Sequence, residues 1–182
     1  MKSARASRPQ PRCRSFAPVA RADARILILG SMPGEASLAA QQYYAHPRNQ
    51  FWGILERVCG IGTGLPYDER LERLQQRGLA LWDVLASCER RGSLDAAIEQ
   101  RTAIANDIPA LLQRCRGIRR ICCNGAAAYA ALQRSGGTQL AQATDLEVLR
   151  LPSTSPANAR SSPARKLIVW EAALTRAIPS GR

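Results

Sequence analysis

The sequence predicts a layered α/β domain. From about residue 25, short apolar runs of strand length alternate with longer stretches of helical periodicity. Each apolar run also ends in a glycine-containing or polar turn, and 182 residues suffice for one domain with a sizeable core.

The elements follow in order. Ile26 to Leu29 is an unbroken apolar run and the first strand. Phe51 to Val58 reads as a helix, with Trp52, Leu55 and Val58 at helical spacing and the glycine-rich CGIGTGLP run ending it. Tyr67 to Gln76 is a second helix, opened by Asp68 and closed by Gly78. Leu79 to Val84 is the second strand and carries Asp83 near its end. Ala103 to Cys115 is expected to be helical. Ile118 to Cys123 is the third strand, followed by Asn124-Gly125 and an alanine-rich helix to Gln133. Leu146 to Leu151 is the fourth strand and runs into Pro152-Ser153-Thr154-Ser155-Pro156-Ala157-Asn158; a last helix covers about Arg160 to Ala177. Residues 1–24, basic and holding three prolines, read as a flexible tail before a domain at 25–178, with 179–182 as a short C-terminal tail.

Charge narrows the partners. Lys and Arg total 26 against 14 acids, a net charge of +12, and Lys2 and Lys166 are the only lysines. Such an excess favours a polyanion, nucleic acid first, and arginine's planar fork suits phosphate. No apolar run approaches the ~18 residues of a membrane span, so a soluble chain is expected. The six cysteines lack CxxC spacing and His46 is the only histidine, so no metal, iron–sulfur cluster or other cofactor is expected. Reduced thiols point to the cytoplasm.

Four polar loops, Met32 to Asn49, Asp83 to Ser87, Asn124-Gly125 and Ser153 to Asn158, are brought to one edge of the sheet, where open α/β sheets bind ligands. The first holds Tyr43, Tyr44, His46, Arg48 and Asn49, chemistry suited to gripping a flat heterocycle. Phe51 and Trp52 fit that pocket or the core beneath it. GSMPG lacks the Gly-Lys-Ser/Thr of a phosphate-binding P-loop, no GxGxxG occurs, and no serine sits in a GxSxG elbow. Zinc-dependent deamination fails for want of its H-x-E and PCxxC pair. An aromatic-and-amide pocket on a basic domain remains, which is what holding a flipped nucleobase requires.

The same residues resemble a known family. GSMPG at 30–34 followed by YYAHPRNQFW at 43–52 is similar to the first motif of the uracil-DNA glycosylase superfamily, whose mismatch-specific uracil/thymine members carry GINPG and an aromatic-x-HPxNxFW run. LPSTSPANA at 151–159 resembles the second motif, a Pro/Ser loop after the last strand. The hypoxanthine-DNA glycosylase branch (family 6, DNA-deoxyinosine glycosylases) is closer still, through GSxPG, YYxHPRNxFW, the ALWDVLASCERRGSLDAAI run at 80–98 and PSTSPAN.

The resemblance, over residues 25–178, implies a three-layer α/β/α sandwich around a central four-stranded parallel sheet. It also implies a monofunctional base-excision enzyme, acting without cofactor as a monomer on double-stranded DNA with a deaminated base, hypoxanthine first. Tyr44 takes the place of the aromatic that stacks on the flipped base, and Gly30, Ser31, Pro33 and Gly34 form the loop beneath it. Asn49 matches the asparagine that is catalytic in that branch. Asp83 is the candidate base-edge reader, or else a structural acid; His46 polarises a phosphate or the leaving base, or packs the loop. Ser153, Thr154 and Ser155 are placed to hold phosphates, Ala157 and Asn158 lie where the wedge enters the duplex, and Arg160 extends that DNA contact. Met32 is the departure: the superfamily has an Asp or Asn there that orients the attacking water, and a thioether cannot. A mismatch uracil/thymine glycosylase, a silent lesion-binding module and, more weakly, an RNA-binding protein are the competing readings.

Overall fold

The computed structural model describes residues 11–137, 146–159 and 161–175. Its main sheet has four parallel strands. They are β2 (Ile26–Gly30), β3 (Leu79–Asp83), β6 (Arg120–Asn124) and β7 (Glu147–Leu151), in the order β3-β2-β6-β7. Every residue of β2, β3 and β6 is buried, as expected for parallel strands covered on both faces.

The period-2 alternation of the strands divides the core in two. Leu27, Leu29, Ala80, Trp82, Ile121 and Cys123 point to one face, where they meet α4 (Ile108–Arg114) and α5 (Ala126–Arg134). Ile26, Ile28, Leu79, Leu81 and Cys122 point to the other, against α2 (Phe51–Cys59), α3 (Tyr67–Gln76) and α6 (Pro163–Thr175); the short α1 (Glu35–Ala40) precedes α2 in the chain. A three-layer α/β/α sandwich results. Each fully buried Leu, Ile or Phe contributes about 1.5–3 kcal/mol, and Phe51, Leu55, Leu74 and Trp170 are all fully enclosed. Phe51 and Trp52 are thus core residues, which decides between their two readings. The cysteines at 122 and 123 are buried free thiols, each pushed up to about 12 by desolvation.

A second sheet stands beside the first. β1 (Arg12–Arg14), β4 (Leu85–Arg90) and β5 (Ile98–Ala105) pair antiparallel in the order β1-β4-β5. The helix expected from Ala103 therefore begins only at Ile108, where Asp107 caps it by accepting the Ala110 N–H at 2.9 Å.

The expectation of a flexible tail up to residue 24 is corrected for 11–24; residues 1–10 lie outside the described part. Cys13 pairs with Cys88, Val19 forms a bridge with Leu81, and the Trp82 indole donates to the Phe16 carbonyl at 3.0 Å. This segment covers β3, an edge strand of the main sheet whose backbone would otherwise be open to pairing with another chain.

Candidate active site

Strand register builds the site. Gly30 pairs with Asp83 across β2 and β3, and Asn124 pairs with Leu151 across β6 and β7, so neighbouring strands end level with one another. Their following loops meet in one cleft of about 100 Å³. It brings together Gly30, Ser31, Met32, Pro33, Gly34, Tyr44, Asn49, Asp83, Ser153, Thr154 and Ser155, eleven of the residues singled out above.

The aromatic wall comes from the loop before α2. Tyr44 adopts a left-handed backbone (φ 56°), a conformation uncommon outside glycine and asparagine. Its ring stacks on Phe51 at 3.9 Å between centroids, and Phe51 is held edge-on by Trp52 and Trp170. The ring is thus fixed from behind, and its hydroxyl has no hydrogen-bond partner among the described residues. Asn49 is fixed at the head of α2: its Oδ1 accepts the Phe51 N–H at 3.0 Å, which orients the amide and leaves a second Oδ1 lone pair.

Two acids lie in the cleft. Asp83 is 3% exposed; its Oδ2 accepts from Ser15 Oγ at 2.7 Å, and burial raises its carboxyl to about 7 despite that bond. Asp95, on the short 3₁₀ turn Asp95–Ala97, accepts from Ser31 Oγ at 2.5 Å and is likewise raised by burial. The Arg90 guanidinium is buried nearby, where its charge opposes both shifts, and it donates to the Pro33 carbonyl. Sequence reasoning missed Ser15, Arg90, Ser93 and Asp95. Arg90, Ser93 and Asp95 fall within the ERRGSLD stretch that carried part of the resemblance, and this was the available signal.

Several expectations change. Thr154, expected at phosphates, is fully buried; its N–H donates to Asn124 Oδ1 and its Oγ1 accepts from Asn124 Nδ2, both at 2.9 Å. It shapes the loop and cannot present its hydroxyl outward. Its carbonyl also accepts the Gln50 N–H at 3.0 Å, which joins this loop to the start of α2. His46 does not line the cleft; its Nδ1 accepts the Arg48 N–H at 3.1 Å, a loop-packing role. Met32 touches the cleft but packs in the core beside Leu29 and Trp82. Asn158 turns inward, its Nδ2 donating to the Ser153 carbonyl at 3.1 Å while its own carbonyl accepts from Lys166 at 3.0 Å. Ala157 is exposed at the tip, Ser153 and Ser155 remain at the cleft, and Arg160 lies outside the described residues.

A level row of strand ends with a backed aromatic, a fixed amide and two acids can hold a planar base and aim polar groups at its edge and at a water. Comparison with known proteins decides the family. The model of the uracil DNA glycosylase superfamily matches residues 17–174.

The chain belongs to the uracil DNA glycosylase superfamily.

Two curated relatives named hypoxanthine DNA glycosylase support the same placement. One, from Methanosarcina acetivorans, is 36% identical over 162 residues, 87% of this chain and 96% of the relative. The other, from Methanosarcina barkeri, is 34% identical over 153 residues, 83% and 91% respectively. A solution NMR structure of a proposed uracil DNA glycosylase from Methanosarcina acetivorans superposes with a TM-score of 0.75 at 33% identity, covering 91% of this chain and 98% of that one. As a DNA glycosylase of this superfamily, the protein has DNA for substrate. No helix among the described residues is long and apolar enough to cross a membrane.

Proposed function

We propose that this glycosylase excises hypoxanthine from deoxyinosine in double-stranded DNA, acting as a monofunctional hydrolase in base excision repair. The observation that carries the reading is the replacement of the usual water-orienting residue by a core-packed Met32, with Asn49 standing fixed across the same cleft. The names of the two relatives support the choice of hypoxanthine.

The flipped base stacks on Tyr44. Its lactam edge, an N1–H beside O6, is read by the Asp83 and Asp95 carboxyl groups, one of which donates when protonated while the other accepts. Adenine carries an acceptor at N1 and a donor at C6, so it meets the pair in the wrong sense and leaves buried polar groups unmatched. As the C1′–N9 bond breaks, the base departs with the electron pair and takes up a proton, and positive charge develops on the sugar. Asn49 Oδ1 holds a water through its free lone pair, and the water oxygen bonds to C1′ as its proton is released. Backbone N–H groups between Ser31 and Gly34 face the negative charge that develops on the leaving base. Ser153 and Ser155 hold flanking phosphates.

Excision of uracil is the second reading, favoured by the solved structure described as a proposed uracil DNA glycosylase. Alkali-revealed strand cleavage of labelled duplexes, each with one hypoxanthine, uracil, xanthine or thymine mismatch, separates the two. Hypoxanthine is expected to be cut fastest under enzyme excess. Faster uracil cleavage overturns the assignment, and binding without cleavage of any lesion makes the protein a lesion sensor.

A further inference from the structure

Flipping a base out of a duplex leaves a gap in the stack, and apolar side chains commonly fill such gaps. The cleft opens between two jaws. One is the Pro152–Asn158 loop; the other is the turn between β4 and β5, whose Ser93 and Asp95 also line the cleft. The first jaw offers only short side chains at its tip: Pro156 is exposed but confined to its compact ring, Ala157 ends in a methyl, and the Asn158 amide is tied back to Ser153.

The second jaw offers a longer one. Leu94 is 59% exposed, and of the three large exposed hydrophobics among the described residues it is the one between two cleft-lining residues. It also borders the outer groove that runs from the cleft past Ala157, Asn158, Arg150 and Arg165. The turn that carries it is firmly held. Arg90 donates to the Pro33 carbonyl, Ser93 Oγ accepts the Glu35 N–H at 2.9 Å, Asp95 accepts from Ser31 Oγ at 2.5 Å, and the Leu94 carbonyl accepts the Ala97 N–H at 3.0 Å. Burying an exposed leucine would be ordinary for a folded turn, yet these contacts fix the backbone on both sides and leave the side chain outside.

We propose that Leu94 is the wedge of this enzyme, entering the duplex from the β4–β5 turn and filling the space left by the flipped nucleotide. The Pro152–Asn158 loop then holds the backbone on the other side. The inference rests on the base-flipping function proposed above. Leu94 is a positioning residue; it takes no part in bond cleavage.

The test compares hypoxanthine excision from duplex and single-stranded DNA by wild type, Leu94→Ala and Leu94→Met. A second readout is the fluorescence of 2-aminopurine placed beside the lesion, which reports unstacking without requiring cleavage. Leu94→Ala is expected to lose about 10- to 100-fold on duplex while keeping the single-strand rate. Leu94→Met is expected to retain most duplex activity, and the fluorescence rise seen with wild type should be muted in Leu94→Ala. Equal rates for Leu94→Ala and wild type on both substrates overturn the proposal, as does an equal loss on both, which would make Leu94 a part of the pocket. If wild type cuts neither substrate, the hypoxanthine reading falls, and the fluorescence still decides the wedge: a Leu94-dependent rise supports it and no rise overturns it.

Discussion

Gly30 and Asp83 face each other across the level ends of two parallel strands, and the Cβ that any other residue would place at position 30 falls on the Asp83 carboxylate, with the Tyr44 hydroxyl 3.2 Å away. The missing side chain makes the floor of the cleft. Gly30→Ala must therefore push Asp83 or Tyr44 aside, in a region where strands on both sides are fully buried. The expected cost is about 1–3 kcal/mol of stability, typical of overpacking, together with loss of excision. Thermal unfolding and single-turnover cleavage check this; a G30A protein with wild-type values for both removes the floor from the account.

Asn124 lines the cleft, and its predicted role is to hold the loop that follows β7. Both ends of its amide are spent on Thr154, and Thr154 is joined through Gln50 to the turn that holds Asn49. Asn124→Ala leaves a buried N–H and hydroxyl unpartnered, at about 1–3 kcal/mol. Thr154→Val, which removes only the hydroxyl, should cost less. Urea unfolding measures both, and a smaller loss for Asn124→Ala than for Thr154→Val contradicts the arrangement.

Asp83 gives the fold a pH signature. Burial lifts its carboxyl from the ordinary 3.8 to about 7, so the folded protein keeps a proton that the unfolded chain has already released. Its contribution to stability therefore falls as pH rises from about 4 to 7 and is level above that. Asp83→Asn lacks the group and should show a flatter dependence, with stability above wild type at pH 8 and weaker hypoxanthine excision. Melting temperatures of both proteins across this range test the sign; parallel curves contradict it.

The strands that place these residues were legible in the sequence because parallel strands are continuous apolar runs: Ile26–Gly30, Leu79–Asp83 and Arg120–Asn124 are buried throughout. The second sheet was not. β5 leaves most of its side chains half or fully exposed, and its Ile98, Ala103 and Ile104 follow no clean alternation, so residues after Ala103 read as helix. Asp107 and Pro109 marked the true helix start, a cap with a proline in the first turn. The first jaw of the site was visible as a motif; Leu94 and Asp95 stood in the GSLD part of the middle run, but their place at the cleft was not legible. Their position depends on an antiparallel turn folding back over Gly34, a long-range contact that local pattern does not encode. Thr154 misled for a related reason, since a threonine in a polar loop shows no sign of the buried asparagine it faces.

The central claim is that Asn49 replaces the lost water-orienting residue of the superfamily. It is tested most directly by single-turnover cleavage of a hypoxanthine duplex by wild type and Asn49→Ala, with binding to the same duplex measured in parallel. A fall in rate of about 10²–10³-fold or more is expected, the scale of removing one group aimed at the transition state, with binding close to wild type. Retention of most activity by Asn49→Ala contradicts the mechanism.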